Sequence, residues 1–561
     1  MKILQRFIFA IGFCALLSLV IYACKKPTDD LNVIIKTDAL SKSPALVQFI
    51  NANAGSTTAL PNTIKVSVSG PNADAVQTDD GGTNFTATGG FLSISLNRHT
   101  NPTPANPIVF TLSASVSGYA PVSKTVTVTN DSTQLKIVMP LVEYAKPADG
   151  TSSTVTNTQL NAGVSAATTI SLPAKGNTPE TNTLFIQDGT KMLDATGAVI
   201  NTGNALSSSI VYYGTSNVTA YNAFPGGFNP KSVTGPNNTT INNVTFITAG
   251  FFSINMMAGN TAIKSFSKPV QAVMEINPDL VNPLTGNKVA VGDAIPLWSL
   301  DETTNKWKYE SLGKVALNAD GKLSLPFNIT HLSGWAANWY SQDCGSSLGI
   351  NIHMTGATGK YDGYQVFLAS ADDQFVGGLT ADNSWGYTVS LFDGFKGTFN
   401  TLPANLGDVK VVVYAKAGDP TSKVAESELF SPCSKGSVDL NVPVPATVDY
   451  INADINVTGK CTSKQLVARP TTWMYLKDVT AGTTTPVYAT NGHIVTKMIS
   501  GHTYSMSTSY NGKTSASGEF RVDKTTNISI GVTNGLSGTA IYDSKTNTLM
   551  IDATFTVSSC G

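Results

Sequence analysis

The stretch Phe91-Leu92-Ser93-Ile94-Ser95-Leu96 sets apolar side chains against hydroxyls with a period of two. Successive side chains on a strand point to opposite faces, so this pattern describes a strand with one dry and one wet face. Ile64-Lys65-Val66-Ser67-Val68 and Val126-Thr127-Val128 repeat it. Gly81-Gly82, Gly89-Gly90 and the proline-rich Asn101 to Pro107 punctuate these runs as turns or loops. Several short strands with such punctuation imply a β-sandwich over residues 31–142.

The pattern continues outward from there. Thr169-Ile170-Ser171-Leu172-Pro173-Ala174 reads as a strand entering a proline turn. Ala249 to Met256 reads as another, turning through Gly259-Asn260 toward Ala262-Ile263-Lys264. In Ile295-Pro296-Leu297-Trp298-Ser299-Leu300 both faces carry bulk, so this strand should be buried on both sides. Trp307 should pair across a hairpin whose turn is Glu302 to Asn305. Trp298 and Trp307 could instead line a sugar groove, but core packing is the preferred reading. Residues 143–343 thus form a second unit.

Gln365 to Ala369 and Val409 to Tyr414 mark strands of a third unit, 344–445. It ends in the proline-paced Val442-Pro443-Val444-Pro445, a stiff linker. Residues 446–561 form the last unit, with hairpin turns at Asn491-Gly492 and Asn511-Gly512. The fold class is all-β: about four β-sandwich, immunoglobulin-like domains in a string. No long amphipathic helix is legible.

At the N-terminus, Lys2 and Arg6 precede an almost wholly apolar run from Phe7 to Ala23. It is short for a membrane span and reads as a signal peptide, residues 1–23. Ile21-Tyr22-Ala23-Cys24 resembles the lipobox of bacterial lipoproteins. That resemblance implies cleavage before Cys24, lipidation of its thiol and acylation of the new amine. Two or more chains suffice for stable attachment. Lys25-Lys26-Pro27-Thr28-Asp29-Asp30 would be the tether, residues 24–30, and resembles the export tags of Bacteroidetes surface lipoproteins. The implied location is the outer membrane, facing outward; a periplasm-facing lipoprotein is the alternative.

Removing Lys2 and Arg6 leaves 34 basic against 37 acidic residues, no footprint for nucleic acid. Four cysteines remain beyond Cys14 and Cys24. An even number in an exported chain suggests disulfides. Of three pairings, Cys344–Cys433 and Cys461–Cys560 are favoured, because each brackets one predicted domain. No two stand at zinc-ligand spacing.

Further resemblances concern single regions. Ser117-Gly118-Tyr119-Ala120-Pro121-Val122 resembles the late strands of carboxypeptidase-regulatory-like and bacterial immunoglobulin-like modules. The succession from Thr169 through Ala249–Met256 and Gly292–Asp301 to Ile329–Trp335 resembles a region of Bacteroidetes surface lipoproteins of unassigned function. It is also similar to ZU5-like β-domains and to animal proteins of the cartilage intermediate layer type. In those, Ser-Leu-Pro-Ala continues with Gly-Ala; here Lys175-Gly176 follows. Asp131-Ser132-Thr133 resembles the O-glycosylation sequon of Bacteroidetes.

Motifs of catalysis are missing from the sequence: His-Glu-x-x-His, Gly-x-Ser-x-Gly and a phosphate-binding loop. The five histidines, His99, His331, His353, His493 and His502, are scattered. Asp79-Asp80 and Asp372-Asp373 lie in polar loop sequence, not across a cleft as a glycosidase requires. Asn318-Ala319-Asp320-Gly321 lacks the further ligands of a calcium loop and reads as a turn. No cofactor or metal is expected.

Aromatic loops are the better lead to a ligand. Tyr221, Phe224 and Phe228 stand among glycines and prolines in Tyr221 to Pro230, and Trp385 and Tyr387 alternate on one strand face beside Asn383. Such rings can stack on sugars or anchor a protein, or else plug their own sandwich. The expectation is a non-catalytic surface lipoprotein presenting β-domains to a glycan or protein partner. The alternatives are an assembly component of a surface complex, or a glycan- or peptide-degrading enzyme.

Overall fold

A computed structural model describes residues 34–36 and 41–557, apart from 80, 132–134, 176–177, 202–204, 358–360, 372, 380–388, 406, 417–418, 445–448, 462, 464–465, 511–512, 525–526 and 534–535. The protein is all-β. The described residues divide into two compact units, one within residues 41–444, the other of Ile34–Lys36 with residues 449–557.

The first module of the larger unit is a sandwich. One sheet runs Leu135–Leu141, Ser41–Asn51, Phe91–Asn97, Thr86–Thr88, Thr63–Lys65. The other runs Ser67–Ser69, Ile108–Ala114, Val122–Val128. The period of two does its work here: Leu92, Ile94 and Leu96 face Phe110, Leu112, Val126 and Val128 in one buried core. The hydroxyls of Thr111 and Thr125 meet at 3.0 Å on the outer face of the smaller sheet.

The second module is built on a sheet whose middle strands are buried on both faces. Its centre runs Thr151–Asn161, Ala205–Tyr213, Val244–Ala258, Gly334–Gln342, Ala294–Asp301, Lys306–Lys314. On Ala294–Asp301, Ile295 and Leu297 enter one core while Trp298 and Leu300 enter another. The two-faced strand expected from the sequence is therefore present. Leu300 pairs with Trp307 across the hairpin, and both tryptophans are buried.

Val244–Ala258 changes faces midway. Phe246 and Phe251 lie in one core; Ile247, Phe252 and Ile254 lie in the other. A bulge between Thr248 and Gly250 shifts the register against Gly334–Gln342. One extra residue in a strand turns the following side chains over, so the bulge reverses which alternate residues enter which core: Val244 and Phe246 before it and Phe251 after it lie in the same one.

Residues 344–445 were expected as a separate sandwich. Their core is not separate: one apolar cluster runs from Leu160 and Ile170 through Trp335 to Leu348, Val411 and Val442. Phe367, Phe375 and Tyr414 also join the second core. A strand of this module bears apolar residues on both faces, and each face covers a different core. Cys344 and Cys433 are joined by a disulfide, with 6.0 Å between their Cα atoms, as expected. It ties the two ends of the module.

The smaller unit is organised on Tyr450–Cys461, whose inward residues alternate without a break. It pairs with Thr548–Val557 in parallel and with His493–Ile499 antiparallel. Asn491 and Gly492 both have positive φ, 51° and 78°, the two-residue turn that asparagine–glycine favours. Thr490 and His493 bridge across it, but the strands on either side pair elsewhere, Thr483–Ala489 with Thr472–Asp478 and His493–Ile499 with Tyr450–Cys461, so no hairpin ladder forms. One boundary needs correction. Ile34–Lys36, assigned by sequence to the first sandwich, pairs in parallel with Leu466–Arg469 in this sheet. A three-residue strand carries no readable periodicity, so its partner was invisible. Cys560, Asn511 and Gly512 lie outside the described residues, and with them the Cys461–Cys560 pairing and the second turn.

Candidate functional site

The loop singled out by its rings begins with a helix that the sequence reading missed. Asn217 caps Val218–Ala223, its side chain accepting from the Thr219 amide at 2.8 Å. Asparagine before Val218 was the available signal. The Tyr221 hydroxyl donates to the Thr215 carbonyl at 2.8 Å. Beyond the helix, Gly226 and Gly227 adopt φ of 79° and 64°. A Cβ at position 226 would stand 2.8 Å from Leu300 Cδ2 and 3.0 Å from Trp307 Cζ2. The backbone thus lies directly on the sheet and sends its rings inward.

Those rings are not displayed. Tyr221, Phe224 and Phe228 are 3%, 6% and 0% exposed. Phe224 stacks on Phe228 at 4.2 Å between centroids, and Tyr221 meets Phe375 edge-on at 5.0 Å. Their faces are taken by one another and by Phe251 and Trp307. Burying an aromatic ring is worth more than leaving it wet. As placed, they leave no ring face on which a ligand could stack. Trp385, Tyr387, Asn383 and Cys24 lie outside the described residues.

The same loop does border a cleft, and Phe224 and Phe228 are themselves among its lining residues. Asn222, Gly226, Gly227, Lys231 and Ser232 form one wall of a space of about 540 Å³. The opposite wall belongs to the first module: Thr111, Ser123, Lys124, Thr125 and Thr127, then Val138 to Pro140. The turn Thr304 to Lys306 closes one side. Such a volume falls within the range of ligand sites, roughly 300–1,000 Å³.

Asn305 holds the walls together. Its backbone sits at φ 55°, a conformation asparagine tolerates. Its amide donates to Thr125 Oγ1 at 2.9 Å, and its carbonyl accepts from Ser123 Oγ at 3.2 Å. Ser69 Oγ adds a bond to the Thr303 carbonyl at 3.2 Å. On the far side, Asn222 and Gln365 exchange two amide bonds at 3.0 and 3.2 Å, and Asn229 donates to the Val376 carbonyl at 3.0 Å.

Charge in the cleft is one-sided. Lys124, Lys231 and Lys306 line it, and among the described residues no carboxylate or histidine does. The whole chain is nearly balanced, at −1, so the excess is local. Sequence reasoning passed over these lysines because they lie far apart in the chain. The alternating hydroxyls of Val122 to Val128 were the one legible sign of that wall.

A second cluster is fully enclosed. Glu180 is 1% exposed, and among the described residues none donates a hydrogen bond to either carboxylate oxygen. The hydroxyls of Thr178 and Tyr212 are likewise buried without partners. Glu275 is better served, by Lys322 at 2.8 Å and by the Thr181 amide at 2.9 Å. Burial, with the Glu275 charge adding to it, pushes the Glu180 carboxyl up to about 7.

The folded chain therefore binds the Glu180 proton more tightly than the unfolded chain, and rising pH favours unfolding. That stabilisation is complete below pH 4.5 and is lost as pH rises through about 7. We expect Glu180 by itself to account for a loss of roughly 3 kcal/mol in the larger unit between these limits. Glu180→Gln should remove its own share and leave a shallower slope of denaturant midpoints from pH 5 to 8, the remainder coming from Glu302, which burial also pushes up to about 7. An unchanged slope would contradict the assignment.

Histidines pair with carboxylates at several places. His502 Nδ1 lies 2.7 Å from Asp478 Oδ2, and His493 Nε2 lies 2.9 Å from Asp454 Oδ1. His331 ends its strand 3.8 Å from Glu310, its ring against Trp335 at 5.2 Å. Asn318 Oδ1 accepts from the amides of Asp320 and Lys322, at 3.0 and 2.9 Å, and so forms a turn. Among the described residues, no three histidine, cysteine or acidic side chains are grouped to hold a metal ion. Among them, too, no helix is long and apolar enough to cross a membrane.

No family model and no curated protein matches the chain. Solved structures give remote likenesses. The pilus adhesin SpaC from Lactobacillus rhamnosus GG is 11% identical at a TM-score of 0.15, the match covering 73% of this chain and 56% of that one. BcpA, the major pilin subunit of Bacillus cereus, is 8% identical at 0.13, over 92% of this chain and 100% of its own. GBS52, the minor pilin of Streptococcus agalactiae, is 13% identical at 0.11, over 38% and 98%. This chain thus spans about half the length of SpaC. Likenesses this remote carry no weight for function or partners.

Proposed function

We propose that the protein is a non-catalytic surface lipoprotein, held to the outer membrane by lipid on Cys24, whose first two modules grip a glycan or protein partner in the cleft between them. The observation that carries the binding part is the cleft itself, lined by three lysines and a hydroxyl-bearing sheet face. Hydrolysis by a carboxylate pair or proton transfer by histidine needs groups that its walls do not bring. The anchor rests on Ile21-Tyr22-Ala23-Cys24 and the polar tether after it.

The test has two arms. A glycan array and a pull-down with the purified chain should each be repeated with Thr127→Trp, which fills the cleft from an accessible wall. Binding that survives the filled cleft unchanged would contradict the reading. Separately, Cys24→Ala should end labelling by a palmitate analogue and release the protein from membranes; persistent labelling would refute the anchor.

A further inference from the structure

The cleft borders two sheet edges, and they are not equivalent. Val122–Val128 is the last strand of its sheet, paired among the described strands with Ile108–Ala114 alone. Leu135–Leu141 is the last strand of the other sheet. Both contribute lining residues. An unpaired edge offers a row of N–H and C=O groups to any extended chain that reaches it. Leu135–Leu141 carries Pro140 where it meets the cleft. Proline has no N–H to give and is a common guard on an edge. Val122-Ser123-Lys124-Thr125-Val126-Thr127-Val128 contains no proline. One edge is blocked and the other is open.

The charges around the open edge select among chains that could pair there. Lys124 stands on the strand, and Lys231 and Lys306 stand across from it. Neither Lys231 nor Lys306 is ion-paired among the described residues, and no carboxylate lines the walls. The charges of Lys231 and Lys306 repel a basic strand and attract an acidic one.

We propose that the cleft takes an extended acidic peptide segment of a partner protein, added as a further strand beside Val122–Val128. This rests on the reading of the cleft as a binding site and names its occupant. Backbone hydrogen bonds supply affinity in such an arrangement, and side chains supply selection. An acidic glycan would meet the same lysines. It would leave the strand edge unpaired, because sugar hydroxyls do not repeat at the spacing of a β-ladder. The peptide uses both features, and on that ground it is preferred.

The experiment measures anisotropy of a labelled dodecapeptide of alternating glutamate and threonine with the full chain at low salt. Binding is expected, weakening as salt is added. The Lys231→Glu/Lys306→Glu double variant should weaken it by about tenfold or more, with the melting curve unchanged. Methylating every backbone nitrogen removes the donors along both edges of the peptide and should abolish binding. A lysine–threonine counterpart should not bind. If the methylated peptide binds as tightly as its parent, no strand is added and the inference fails. If heparin binds and the acidic peptide does not, the inference fails while the cleft reading stands. If no probe's binding responds to the double variant, both fail.

Discussion

Gly250→Ala is expected to destabilise the larger unit by roughly 3 kcal/mol or more, seen as a lowered urea midpoint. Two costs add at this position. Gly250 sits at φ 144°, where an L side chain is strained. A Cβ there would also stand 2.8 Å from Met274 Sδ, 2.8 Å from Tyr212 Cε2 and 2.9 Å from Tyr212 Oη. Met274 and Tyr212 are 0% exposed, so neither can swing away into solvent. The alternative is loss of the bulge. That would turn either Phe246 and Val244 or Phe252 and Ile254 out of their cores. A loss under about 1 kcal/mol would mean that the bulge is not held by strain and close packing at Gly250.

Trp298→Ala should cost about 3–5 kcal/mol in the same measurement. The indole is 0% exposed, with Phe246, Tyr309 and Tyr340 at centroid distances of 5.1, 5.6 and 5.3 Å. The residue lies on a strand pinned on both sides, so the cavity cannot close by moving the backbone. The indole N–H also donates to the Asn338 carbonyl at 3.0 Å. Removing it leaves a buried acceptor beside a residue that is itself 0% exposed, which adds to the loss of packing. Trp298→Phe should recover the larger part, since a ring is restored and the N–H is not. If alanine costs less than about 1.5 kcal/mol, the second core is not a close-packed one.

Much of the fold was legible because β-structure writes itself with a period of two. Phe91–Leu96, the turn at Asn491-Gly492 and the two-faced Ile295–Leu300 needed only local reading. The Cys344–Cys433 bond followed from bracketing a module. What escaped depends on distant neighbours. The parallel seating of Ile34–Lys36 against Leu466–Arg469 leaves no local trace. The merging of cores across 143–445 depends on Leu348, Val411 and Val442 finding partners in another module. The aromatic loop illustrates the same limit. Its composition pointed to rings offered to a ligand; the loop does line the cleft, but Tyr221, Phe224 and Phe228 are buried. The direction of Phe224 and Phe228 was set by how closely Gly226 lies on Leu300 and Trp307, which no local pattern records. The lysines gather only once two modules are docked by Asn305.

Hydrogen exchange across the chain, with and without whichever partner the array or pull-down yields, tests most directly where that partner is held. New protection should appear in Val122–Val128, along residues 222–232 and at the turn Thr304 to Lys306, and it should vanish with the cleft-filling tryptophan. Protection confined to other segments, with these three exchanging as they do alone, would contradict the account.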